Sequence, residues 1–163
     1  MQTLAELIMR FMLLMVPVFL LMAGCQSPGL EKLLGPKQPP LEDSIYISIP
    51  DKRIPEKYAV YSGLWEGGWL VNRKNLLKIK FAVQKIDTAG NARGVYAWGD
   101  DPLGRFDAGN SHFRGEINKG ILKLTFSNGA YATFEIESKN TLNGIYSIGG
   151  KKSYGKFFKR DLE

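Results

Sequence analysis

LKIKFAVQ, Leu77 to Gln84, sets Leu77, Ile79, Phe81 and Val83 in alternation with Lys78, Lys80, Ala82 and Gln84. A period of two puts the apolar set on one face and a mostly polar set on the other, the pattern of a half-buried antiparallel strand. The same pattern recurs outward from it. Downstream, DTAGN (Asp87 to Asn91) turns the chain into ARGVYAW (Ala92 to Trp98), and Lys119-Gly120 joins HFRGEI (His112 to Ile117) to ILKLTF (Ile121 to Phe126). Asn128-Gly129, a strong hairpin signal, leads into YATFEIE (Tyr131 to Glu137). SKNT (Ser138 to Thr141) turns that strand back into LNGIYSI (Leu142 to Ile148), and GGKK (Gly149 to Lys152) precedes SYGKFFK (Ser153 to Lys159). Upstream, SGLWEGGWL (Ser62 to Leu70) supplies a first strand and brings the count to eight.

Consecutive strands joined mostly by short connections make an up-and-down meander, and closing it into a barrel removes the exposed edges. The expected fold is therefore all-β, an antiparallel meander of about eight strands closing into a small barrel, with helical material confined to the N-terminus. Composition agrees: 44% hydrophobic, 18 glycines, nine Phe and seven Tyr in 163 residues fill one core of one domain. Gly94-Val95-Tyr96, Gly115-Glu116-Ile117, Gly144-Ile145-Tyr146 and Gly155-Lys156-Phe157 repeat one cell. Glycine lets a strand bend where a side chain would collide, and the residue two places on faces the same side. A barrel of eight strands either is filled by its side chains or holds one small ligand.

Gly63, Trp65, Gly67 and Trp69 at alternate positions, the Gly-x-Tyr cells and the strand spacing resemble the calycin-type barrels, avidin-like and lipocalin-like, over about residues 60–160. VYAWGD, Val95 to Asp100, is similar to segments of bacterial extracytoplasmic barrels. The resemblance implies the barrel and no particular ligand, because the biotin-contacting positions of avidins have no match here.

The first 24 residues stand outside this pattern. FMLLMVPVFLLM, Phe11 to Met22, carries no charge, yet it is shorter than the roughly 20 residues needed to cross a bilayer. An apolar run of that length ending in small residues, Ala23-Gly24, reads as a signal peptide. Leu21-Met22-Ala23-Gly24-Cys25 resembles the bacterial lipobox, with the leucine one place early. That resemblance implies diacylglyceryl transfer to the Cys25 thiol and cleavage before it; Gln26 fits sorting to the outer membrane. Cys25 is the only cysteine, so an internal disulfide is excluded. The expected organisation is a signal peptide over 1–24, a lipidated Cys25 with a proline-rich tether over 25–57, and the barrel over 58–163. Pro28, Pro36, Pro39 and Pro40 favour an extended, semi-rigid spacer; alternatively, Leu30, Leu33 and Leu34 form a helical turn docked on the barrel. The expected address is the cell envelope, at the outer membrane facing the periplasm.

Catalytic constellations are scarce. The single histidine, His112, has no second histidine or available cysteine to share a metal, and reads as a strand-face residue. There is no Gly-x-Ser-x-Gly elbow and no phosphate-binding glycine loop. The chain is therefore expected not to be an enzyme and to need no cofactor or metal. The longest connection, GDDPLGRFDAGN (Gly99 to Asn110), holds Asp100, Asp101, Asp107 and Asn110, read as turn residues or as oxygen donors to calcium. Glu66 and Asp100 are the one carboxylate pair weighed for acid/base work on a glycan. Trp65 reads as a plug at the base of the barrel. Trp98, Tyr96, Tyr146 and Phe81 are the candidate lining of a ligand cavity, with Asp100 and Arg105 from the long loop beside them.

Net charge is +6, and removing residues 1–24 takes away one acid, Glu6, and one base, Arg10. Lys78, Lys80, Lys123, Lys151, Lys152, Lys156 and Lys159 are expected at outward strand positions or turns, where they face anionic headgroups, wall polymers or only water. Export excludes nucleic acid as a partner. The expected partners are the membrane through the N-terminal lipid, a small apolar or sugar ligand, or another envelope protein. Three readings result: a ligand- or partner-binding barrel, a filled barrel serving as a structural subunit of the envelope, and, least favoured, an envelope hydrolase.

Overall fold

The computed structural model describes residues 36–41, 45–72 and 74–161. The signal peptide, Cys25, Gln26 and the leucines at 30, 33 and 34 lie outside the described residues. After a one-turn helix, α1 (Glu56–Ala59), come eight strands: β1 (Gly63–Val71), β2 (Asn75–Ile86), β3 (Asn91–Trp98), β4 (Gly109–Asn118), β5 (Ile121–Thr125), β6 (Tyr131–Ser138), β7 (Thr141–Ile148) and β8 (Lys151–Arg160). Each is antiparallel to the next, and β8 pairs back onto β1 from Leu64↔Arg160 to Trp69↔Gly155, closing a barrel in simple sequence order. The strands fall where the alternation places them. Lys151 and Lys152, expected in a turn, belong to β8, because Gly149 and Gly150 with φ of 53° and 77° complete the hairpin alone.

In a meander, alternate connections share an end. The β1–β2, β3–β4, β5–β6 and β7–β8 connections define one end, called here the mouth; the other connections and α1 define the opposite, plugged end.

The inward side chains pack into one continuous core. Trp65, Phe81, Phe134 and Phe157 are fully buried, as are Ile79, Leu122, Leu124 and Leu142. Phe81 lies 4.6 Å from Phe134 and 5.6 Å from Phe157, centroid to centroid, so aromatic rings fill the middle of the barrel. The glycine cells make room for this filling. A Cβ on Gly144 would lie 2.8 Å from the Trp69 ring, and one on Gly94 would strike the Ala82 carbonyl oxygen. Both glycines have ordinary strand conformations, so close approach and not a positive φ demands them here.

The plug is built from the chain just before β1. The buried Tyr61 hydroxyl donates to the Gly120 carbonyl at 2.6 Å, while the Phe134 carbonyl lies 3.0 Å away. Burial pushes the Tyr61 phenol up to about 12, so it stays a donor at any physiological pH. Trp65 donates its indole N–H to the Tyr61 carbonyl at 2.9 Å, which locks the ring across the barrel floor. Lys159 corrects one expectation: it points inward, with Nζ 5.2 Å from the Trp65 ring centroid and donating to the Val60 carbonyl at 3.2 Å. Phe157 is an inward residue of β8, so period two puts Lys159 inside as well. Desolvation lowers the Lys159 pKa, and repulsion from Lys139 adds to this.

The expected tether also needs correction, since Pro36–Glu163 form one compact unit. Lys37 and Asp100 exchange two bonds: the Lys37 N–H donates to Asp100 Oδ2 at 2.7 Å and the Asp100 N–H to the Lys37 carbonyl at 3.2 Å. Asn110 donates to the Pro40 carbonyl at 3.0 Å. Further on, the Ser48 N–H donates to the Gln84 carbonyl at 2.9 Å, and Ile54 is buried in the core. Prolines leave carbonyls without matching amides, and the barrel's outer wall supplies donors for them. Of the span expected to be spacer, residues 36–41 and 45–57 lie against the barrel.

Candidate functional site

Inward residues at the upper ends of the strands are aromatic. Trp69 from β1, Tyr96 and Trp98 from β3, Phe126 just after β5 and Tyr146 from β7 converge on the mouth. Tyr96 and Phe126 meet edge to face at 5.0 Å between centroids; Phe126 and Tyr146 lie 6.1 Å apart, Trp69 and Tyr146 5.9 Å, and Tyr96 and Trp98 6.4 Å. Trp69 and Tyr96 are buried beneath, whereas Trp98, Phe126 and Tyr146 are only half-buried and keep a face toward the mouth.

One polar pair sits in this apolar floor. The Trp69 indole N–H donates to the Tyr96 hydroxyl at 2.6 Å, and no acceptor for the hydroxyl's own proton lies among the described residues. Burial raises the Tyr96 phenol far above its ordinary range, and burial raises Tyr146 as well, so both rings stay neutral. The floor is therefore a neutral aromatic surface with a hydroxyl proton to give.

The long loop after β3 is rigidly tied. Trp98 donates its indole N–H to the Asp107 carbonyl at 3.0 Å, and its ring packs under Gly109. Asp100 takes the Ala108 N–H on Oδ1 at 2.8 Å as well as the Lys37 N–H on Oδ2; these bonds hold its carboxyl below the usual range. Asp101, buried, accepts from Arg105 Nε at 2.7 Å, Nη2 at 2.8 Å and the backbone N–H at 3.0 Å. Side-chain bonding to Arg105 lowers the Asp101 pKa and correspondingly raises that of Arg105.

Of the expected cavity lining, the structure brings Tyr96, Trp98 and Tyr146 together at the mouth. Phe81 lies deeper, enclosed by Trp65, Tyr96, Phe134 and Phe157. Asp100 and Arg105 are engaged in holding the loop, and Glu66 sits on the outer wall paired with Arg160 at 2.9 Å. His112 is an outward residue of β4 opposite Val95. Trp69 and Phe126 are not in the expected cavity lining of Trp98, Tyr96, Tyr146 and Phe81. Both carried a signal: Phe126 continues the inward series Leu122, Leu124, and Trp69 shares the face of Trp65.

Fold and mouth together define a class of protein, a small up-and-down barrel of eight strands with one end plugged and the other floored by aromatic rings. Comparisons with known proteins reach the same level. No protein-family model matches the chain, and no curated protein matches it. Among solved structures eight chains match. A de novo designed fluorescence-activating β-barrel is similar at 13% identity and a TM-score of 0.51, covering 66% of this chain and all of the design. A second structure, EF1p2_mFAP2b bound to DFHBI, is 10% identical with a TM-score of 0.47, covering 62% of this chain and 94% of that one. The likeness to the first is one of fold.

Proposed function

We propose that this chain is a lipid-anchored protein of a bacterial cell envelope whose barrel holds a small, planar, apolar ligand against the aromatic floor of its mouth. The observation that carries the ligand reading is the cluster of half-buried Trp98, Phe126 and Tyr146 over the Trp69–Tyr96 pair, at the end that no plug of the described residues occupies. Aromatic faces stack on planar apolar groups, and the spare Tyr96 proton gives one directional bond, the usual composition of a small-molecule site. The anchoring reading comes from the lipobox-like stretch ending at Cys25. The proposal assigns the barrel no reaction, cofactor or metal.

A filled structural barrel is the second reading, favoured by one observation: buried rings in mutual contact occupy the interior from Trp65 up to Trp69. Native mass spectrometry of the acylated protein extracted from membranes separates the two. A co-purified small molecule, lost in Trp98→Ala, supports the mouth as a site; its repeated absence transfers the case to the structural reading. Anchoring is tested independently: Cys25→Ala is expected to release the protein from the membrane fraction and abolish palmitate labelling, and a variant that is still labelled would overturn it.

A further inference from the structure

Most charges on the outer wall stand across from a group that suits them. Glu66 faces Lys80 across β1 and β2, and Glu116 faces Lys123 across β4 and β5. Lys78 lies across from Gly68, and Lys156 across from Asn143. One row departs from this. Lys85 on β2 is directly opposite Arg93 on β3, and Arg93 is directly opposite Arg114 on β4. Like charges in such positions repel, because their Cβ atoms are only about 5 Å apart. Among the described residues no other like-charged pair is directly opposed across two strands.

A bulge builds the row. Phe81 and Val83 face inward, so period two would place Lys85 inside as well. The pairing slips between Val83 and Lys85, leaving Gln84 as an extra residue; Lys85 then turns outward and Ile86 into the core. All three cations are exposed and form no ion pair among the described residues. Lys74, Lys119 and Lys139 also lack acidic partners, but they stand in turns, where a side chain spreads into water. The acid nearest in register, Glu116, lies two places beyond Arg114 on β4 and forms no ion pair with any of the three.

The row borders a groove. An outward-opening cavity of about 360 Å³ is lined by Gln84, Arg93, Gly94, His112, Phe113 and Arg114. Gly94 and Phe113 belong to the inward series, so backbone of β3 and β4 forms its floor and the four polar side chains form its rim. Gln84 is steadied from outside: its Nε2 donates to the Tyr46 carbonyl at 3.3 Å, and its own carbonyl accepts the Ser48 N–H at 2.9 Å. His112 offers an imidazole N–H in either charge state.

We infer that this groove binds a phosphate group, gripped by Arg93 and Arg114, with His112 donating a further N–H and Lys85 adding charge beside them. A carboxylate brings one negative charge, whereas a phosphate ester brings about 1.5–2 and three acceptor oxygens. Guanidinium forks match those oxygens two at a time, and a dianion offsets the repulsion within the row that a monoanion leaves mostly in place. The site is on the wall and rests neither on the aromatic mouth nor on the anchor at Cys25.

The test uses the full chain in a non-ionic detergent, titrated with pyrophosphate while the arginine Nε–H signals are followed by nitrogen-15 NMR. Arg93 and Arg114 are expected to shift together and saturate. Arg105 and Arg160, already paired with Asp101 and Glu66, serve as references that stay put. Arg93→Gln is expected to weaken pyrophosphate binding about tenfold by calorimetry. In the absence of ligand the same variant is expected to denature at a higher midpoint, since it relieves a repulsion. Lys152→Gln, an equal change of charge on β8, is expected to leave binding within about twofold. Phosphatidic acid mixed into the micelles presents the phosphate on a lipid: shifts at lower phosphate concentration than with pyrophosphate assign the groove to a headgroup, and the reverse order assigns it to a soluble phosphate ester. The inference is overturned by the absence of saturable shifts with both, by shifts that acetate matches at equal ionic strength, or by equal weakening in Lys152→Gln. A lowered midpoint in Arg93→Gln would also overturn it, by showing the row to be structural.

Discussion

The two ends of the barrel are made from the same residue types and do opposite things with them. At the plugged end Tyr61 and Trp65 satisfy their polar groups on backbone carbonyls and bury their rings completely. At the mouth Trp69 and Tyr96 satisfy only each other, and the rings above them stop half-buried. Backbone carbonyls seal the plug rings in place, whereas the Trp69–Tyr96 pair is held only by its own bond. The difference lies in what crosses each end: residues 54–62 run beneath the floor, while the mouth is framed by a loop held at its margins by Asp100, Asp101 and Trp98.

The comparison breaks most easily at the plug. Trp65→Ala removes a fully buried ring and its bond to Tyr61, and is expected to cost about 3–5 kcal/mol in chemical denaturation. Trp98→Ala, on the half-buried side, is expected to cost about 1–2 kcal/mol while weakening any mouth ligand about tenfold. Equal losses of stability from the two changes would erase the distinction between the ends.

Tyr61→Phe sharpens the same point at smaller scale. It leaves the ring and removes one hydroxyl from the Gly120 and Phe134 carbonyls, for about 1–2 kcal/mol, measurable as a lowered denaturant midpoint at constant slope.

The smallest effect concerns acid. Asp100 and Asp101 have carboxyl pKa values lowered in the fold by hydrogen bonds to Lys37, Ala108 and Arg105. A lowered folded pKa gives stability that is present above the unfolded carboxylate value of about 4 and is lost as pH falls through the folded one. The melting temperature should therefore fall below about pH 4, and Asp101→Asn should flatten part of that fall. An unchanged acid profile in the variant would show that the Asp101–Arg105 pair does not hold the loop.

How much of this was legible depended on whether the signal was local. Alternation in LKIKFAVQ, the Asn128-Gly129 hairpin and the glycine cells specify pairing between neighbours, and the meander contains only neighbour pairs apart from the closing β1–β8 seam. The fold was therefore readable almost strand for strand. Lys159 was misplaced because a charge was weighed above its position two residues after Phe157; in a closed barrel the pleat decides the face, and the Trp65 ring and the Val60 carbonyl accommodate the ammonium. The docked segment was missed for a different reason. Its bonds run from backbone groups of residues 37, 40 and 48 to Asp100, Asn110 and Gln84, and proline content carries no trace of such long-range partners. At the mouth, Tyr96, Trp98 and Tyr146 were visible as inward aromatics, but the Trp69–Tyr96 bond joins residues 27 apart and needed the barrel to close.

Because each tryptophan indole N–H marks a different level of the barrel, one titration tests the central contrast. Nitrogen-15 spectra of the full chain, recorded while 8-anilinonaphthalene-1-sulfonate is added as a planar apolar probe, resolve Trp65 at the plug, Trp69 beneath the mouth and Trp98 at its margin. The account predicts saturable shifts of the Trp98 and Trp69 indoles with Trp65 unmoved. A shift of Trp65 equal to theirs, or no saturable shift at any of the three, would contradict it.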